Sequence, residues 1–89
     1  MPLYSVTYEL KGEKNYEKIW AALDDLDSVK VQRTHYLVSS NYKSTVDLKA
    51  HLKQFVDKND RLMVIEFTKI PSFTMAQKGT RKWLNSKFR

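Results

Sequence analysis

The sequence predicts a small α+β domain whose elements run strand, helix, strand, strand, helix, strand. Three observations carry that prediction. Leu3 to Leu10 alternates Tyr4, Val6 and Tyr8 with Ser5, Thr7 and Glu9, the period of two of a strand with one buried face. Tyr16, Ile19, Trp20, Leu23 and Leu26 recur at helical spacing and form one apolar stripe. The chain of 89 residues has room for one core only, since a domain of this size buries about 60–65 % of the surface its unfolded chain exposes.

The elements follow in order. After the first strand, Lys11-Gly12-Glu13-Lys14-Asn15 has the Gly and Asn of a turn, and the helix after it leaves Glu17, Lys18, Asp24 and Asp25 for solvent. Asp27-Ser28 ends that helix. Val29 to Ser40 is rich in β-branched and aromatic residues and is interrupted at Gln32-Arg33-Thr34, which predicts two short antiparallel strands with a tight connection. Ser44, with Asp47 three residues on, approximates a capping box and starts a second helix, whose Leu48, Leu52, Phe55 and Val56 share a face. Asp57-Lys58-Asn59-Asp60 is a turn by composition, and Arg61 to Thr68 returns to strand. Leu62, Met63, Val64, Ile65 and Phe67 occupy both parities of that strand, as expected if helices cover one side and a partner chain the other. Two strand-helix-strand halves in this order make the ferredoxin-like βαββαβ fold, a four-stranded antiparallel sheet with two helices on one face. The other face is expected to be bare, which points to pairing or ligand binding there. Residues 1–68 form this domain; residues 69–89 form a C-terminal extension in which Met75 to Arg89 is expected to make a short helix docking through Trp83, Leu84 and Phe88.

Hydrophobic residues make up 42 % of the chain and charged residues 29 %, the balance of a folded globular protein, so disorder is not expected. No apolar run reaches the roughly 18 residues of a membrane span, and the N-terminus does not read as a secretion signal, so a cytoplasmic, soluble protein without membrane partners is expected. The absence of cysteine excludes disulfides, thiol nucleophiles and thiolate metal sites. The net charge of +6 is not spread evenly. Up to Thr68 the Lys/Arg and Asp/Glu counts cancel, and the whole excess comes from Lys69, Lys78, Arg81, Lys82, Lys87 and Arg89, with no acid among them. A basic, acid-free terminal segment is the electrostatic footprint of a nucleic-acid contact, and it also suits an acidic protein surface or a solvated extension.

The catalytic inventory is short. His35 and His51 stand in no metal-ligand spacing and read as structural or surface residues. Gly12 and Gly79 are the only glycines, so there is no phosphate-cradling Gly-rich loop and no Gly-x-Ser-x-Gly elbow. Glu9, at the end of the first strand, remains. In a two-fold dimer it would meet its own copy, and two facing carboxylates bind a divalent cation such as Mg²⁺, which can activate water for phosphodiester cleavage. The bland reading of Glu9 is an exposed carboxylate paired with a lysine.

The run Tyr4-Ser5-Val6-Thr7-Tyr8-Glu9, followed by the helix and by Val31-Gln32-Arg33-Thr34-His35-Tyr36-Leu37, resembles the CRISPR-associated adaptation endoribonuclease family, in which the first strand ends in Tyr-Asp and a Gln-x-Ser stretch opens the third strand. Asp47-Leu48-Lys49-Ala50-His51-Leu52 and Asp57-Lys58-Asn59-Asp60-Arg61-Leu62-Met63-Val64 resemble the second helix and last strand of its SinR-like relatives; the VapD toxins are more distant members of the fold group. The resemblance spans Leu3 to about Thr68. It implies a ferredoxin-like homodimer that lays nucleic acid across a basic surface and, in some members, cleaves it with a metal ion. Glu9 stands where the family carries aspartate, one methylene longer, while Gln32 and Thr34 match the Gln-x-Ser positions with the hydroxyl kept.

Two functions therefore stand side by side. One is a dimeric DNA- or RNA-binding protein that contacts phosphates through Arg33, Lys78, Arg81, Lys82, Lys87 and Arg89, with Lys11 and Lys14 as further candidates, and with Glu9 as the catalytic and Mg²⁺-ligating residue if it cuts. The other is an interaction module of a phage or mobile element that docks on a defence-system protein through Trp83 and Phe88 beside the tail cations. A messenger-RNA-cleaving toxin would rely on the same Glu9 chemistry.

Overall fold

A computed structural model describes residues 1–11 and 16–88. The strands are β1 (Leu3–Glu9), β2 (Asp27–Gln32), β3 (His35–Ser39) and β4 (Arg61–Phe67), and the helices are α1 (Glu17–Asp24), α2 (Thr45–Leu52) and α3 (Thr80–Lys87). All strand pairs are antiparallel and the sheet order is β2-β3-β1-β4, the ferredoxin-like arrangement. Of the turn expected at Lys11–Asn15, all but Lys11 lies outside the described residues.

The alternation in β1 decides what each sheet face becomes. Tyr4, Val6 and Tyr8 point into a core with Ile19, Ala22 and Leu23 of α1, Tyr36 and Val38 of β3, and Leu48 and Leu52 of α2. Three tyrosines can line this apolar layer because each hydroxyl finds an acceptor at its rim. Tyr4 donates to the Tyr42 carbonyl (2.7 Å), Tyr8 to the Arg33 carbonyl (2.8 Å) and Tyr36 to Asp24 Oδ1 (2.8 Å). Burial pushes the Tyr8 and Tyr36 hydroxyls well above the ordinary phenol range, so they remain protonated donors. Ser44 caps α2 as expected, its hydroxyl accepting from the Asp47 N–H at 3.2 Å. Among the described residues no buried side-chain nitrogen or oxygen lacks a partner, and no helix is long and apolar enough to cross a membrane.

The second sheet face corrects an expectation: it is not bare. Phe73, Ala76 and α3 fold back over it, and Leu84 packs on Val31 and Leu37 with Val29, Phe67, Trp83 and Phe88 around them. The helix is shorter than the stretch from Met75 to Arg89. It begins only after Gly79, whose φ of 97° a residue with a side chain adopts with strain, and that turn separates the helix from the irregular segment before it. The hydrogen bond from Gln77 N–H to the Val31 carbonyl (2.9 Å) lies at one end of α3, and contacts of Trp83 and Lys87 with Asp27 lie towards the other, so α3 runs antiparallel to β2. The cover is partial. Met63 and Ile65, on the same face of β4, remain 59 % and 52 % exposed.

Candidate nucleic-acid interface

Glu9 ends β1 on the second face, where the register sets it opposite Arg61, the first residue of β4. Arg61 Nη1 donates to Glu9 Oε1 at 3.0 Å, with both side chains largely in solvent. The bland reading of Glu9 thus holds in kind, with an arginine in place of the lysine. Beside the pair, a cleft of about 440 Å³ is lined by Thr7, Tyr8, Glu9, Thr34, Arg61, Leu62 and Met63, so Glu9 and the Thr34 of the family-like stretch share one depression.

Arg33 sits in the two-residue turn between β2 and β3. Its carbonyl accepts from Tyr8 Oη and from Trp20 Nε1 (3.0 Å), which fixes the turn, and its guanidinium lies 4.5 Å from the Tyr16 ring centroid, with the side chain exposed. Lys30 stands over the Trp20 ring at 3.6 Å, giving this end of the sheet a second cation held on an aromatic.

Lys78, Arg81 and Lys82 are exposed and line an open cleft of about 650 Å³ with Gly79, Asn85 and Ser86 at the start of α3. Arg81 packs over Phe73 at 4.6 Å, which orients it. Because α3 runs antiparallel to β2, Lys78, in the turn before the helix, lies near Val31, at the end of β2 that leads into Arg33. Lys87 stands apart from this group. Its ammonium is paired with Asp27 Oδ2, and Trp83 Nε1 donates to Asp27 Oδ1 at 3.0 Å. These two donors, Lys87 foremost, hold the Asp27 carboxyl below the usual carboxylate range. Lys11 is exposed with its backbone N–H on Asp60 (2.9 Å), while Lys14 and Arg89 lie outside the described residues.

Three site features escaped the sequence. Arg61 could have been paired with Glu9 by counting register from the two strand ends. Asp27 read as a helix terminator, yet it opens β2 and holds α3. Ser5 and His35, on the exposed side of β1 and β3, are hydrogen-bonded at 2.6 Å, and burial lowers the His35 pKa. The other histidine is structural: His51 stacks on Tyr42 and meets the edge of Phe55, at centroid distances of 5.3 and 5.5 Å. Among the described residues no three His, Asp or Glu side chains are grouped to hold a metal ion. Among the described residues lining the cleft beside it, Glu9 supplies the one carboxylate, already held by a guanidinium, which does not fit a divalent cation that takes six oxygen ligands.

The chain is thus a ferredoxin-like α+β domain with an acidic residue ending its first strand and a cationic helix laid on its sheet. The family model for CRISPR associated protein Cas2 matches residues 1–75, and the chain belongs to that family. No solved structure matches it.

Proposed function

We propose that the protein is a nucleic-acid-binding member of this family that acts as a homodimer and contacts phosphates through Lys78, Arg81, Lys82 and Arg33. The observation that supports this most is the clustering of three exposed cations, Lys78, Arg81 and Lys82, about the start of α3 in a segment without acids. Phosphate contacts of this kind position a duplex or single strand without reading its sequence. Lys87, held by Asp27, contributes little to such a surface. With α3 docked, Trp83 and Phe88 pack towards the sheet and Lys78, Arg81 and Lys82 face outward.

Binding without cleavage is the reading favoured at Glu9, because Arg61 pairs with the one carboxylate among the described residues that line the cleft. Mg²⁺-dependent cutting would require a second copy to complete the donor set.

Labelled single- and double-stranded DNA and RNA, titrated at low and physiological salt with Mg²⁺ present, test both parts. Four phosphate contacts from each chain of the dimer give a log-log salt slope of about −7 for duplex DNA, and the triple variant Lys78→Ala/Arg81→Ala/Lys82→Ala should bring it to about −2. A flat salt response, or one the triple variant leaves unchanged, overturns the assignment. Cleavage products that vanish in Glu9→Ala would move the protein from binder to nuclease.

A further inference from the structure

The second sheet face is divided. Its β2–β3 half is closed by Phe73, Ala76 and α3, and its β1–β4 half presents Ser5, Thr7, Met63 and Ile65 to solvent beside Glu9 and Arg61. The open half is self-complementary. A copy related by a two-fold axis running along the strands between β1 and β4 would bring the Glu9 carboxylate of one copy towards the Arg61 guanidinium of the other. It is also small. A stable interface takes about 800 Å² from each partner, and two exposed apolar side chains do not supply such a core. Lifting α3 would extend the apolar surface by adding Val29 and Val31 of β2, Leu37 of β3 and Phe67 of β4.

The cover is lightly fastened. An eight-residue helix is marginal on its own, and α3 starts with Arg81 and Lys82 in its first turn, where the helix dipole disfavours cations, and with no side-chain cap. Leu84 is its one fully buried large apolar side chain. Residues 68–79 lead to it without regular structure, and a single carboxylate, Asp27, holds both Trp83 and Lys87. Elements with few buried apolar groups open at low free energy while the rest of the fold stays intact.

We infer that the segment from Phe73 to Phe88 is a detachable cap, and that its docking competes with a second copy of this chain for the same sheet face. The inference rests on the homodimer reading above and adds its regulation: the monomer carries its own cover, and pairing requires the cover to leave.

The test uses the full chain with Trp20→Phe, which leaves Trp83 as the sole tryptophan and hence a reporter of the cap. Sedimentation over a wide concentration range, with Trp83 emission read on the same samples, should show emission moving to longer wavelength as dimer accumulates. Asp27→Asn in that background should tighten dimerisation roughly tenfold, since each of the two chains loses one partly exposed ion pair of its closed form worth about threefold. A dimer that forms with Trp83 emission unchanged overturns the cap and leaves the dimer standing. Absence of dimer in both proteins, with Trp83 already solvent-exposed in Asp27→Asn, overturns both. If Asp27→Asn does not fold, the concentration dependence of emission in the Trp20→Phe protein decides alone.

Discussion

One sheet carries two faces built on different terms. On the helix side, eight large side chains are fully buried: Tyr4, Val6, Ile19, Leu23, Tyr36, Val38, Leu48 and Leu52. On the other side only Leu84 reaches that state among the large apolar groups, and half the face meets solvent. The same strand, β1, serves both, tyrosines and valine inward, hydroxyls and a carboxylate outward. A domain this small draws most of its buried apolar area from one face.

The sharpest way to break that contrast is to delete the same side chain from each face. Leu23→Ala, in the sealed core, should cost about 3 kcal/mol by chemical denaturation, from lost transfer free energy and the cavity left behind. Leu84→Ala removes an equally buried leucine, yet its cost cannot exceed the free energy of docking α3, and about 1–2 kcal/mol is expected. Hydrogen exchange should speed up in α3 and leave β1 protected. Equal costs for the two variants would mean that α3 belongs to the cooperative core and that the two faces are alike.

The helix face was legible because its signals are periodic. The stripe from Tyr16 to Leu26, the alternation of β1 and the Ser44 cap each follow from local spacing, and each sits as expected. The second face was not legible, because what covers it comes from residues far along the sequence from β2 and β3, none nearer than Phe73. Trp83, Leu84 and Phe88 announced that they would dock, but nothing local says where. Asp27 shows the same limit: its partners Trp83 and Lys87 are 56 and 60 residues on. At the site, Glu9 and the tail cations could be picked out by type and position, whereas the Arg61 partner and the Ser5–His35 pair are consequences of register.

Acid titration should also separate the faces, with smaller effects. His35 has a lowered pKa, so the unfolded chain takes up its proton first, and stability falls as pH drops below about 6.5. Asp27 is depressed as well, so the stability it lends is present above about 3.8 and is lost as pH falls further towards its folded value. In the Trp20→Phe protein, Trp83 emission should stay constant through the first window and change in the second. A change near pH 6 would tie His35 to the cap.

The smallest effect is expected at Arg61. Its side chain is 85 % exposed and that of Glu9 65 %, so the pair is screened by water, and holding two long side chains together offsets part of its attraction. Arg61→Ala should therefore change the denaturation midpoint by an amount equivalent to no more than about 0.5 kcal/mol. What it should change is the chemistry at the end of β1, where Glu9 then stands as an unpaired carboxylate beside the cleft it shares with Thr34. Titration of the variant with Mg²⁺, followed by the chemical shift of the Glu9 side chain, reads that directly. A response in Arg61→Ala that the parent protein does not give identifies the guanidinium as the group that keeps Glu9 from ligating metal. A loss of stability well above the expected bound would instead make Arg61 a packing residue of the open face, and the division between the two faces would then run through β4 and not around it.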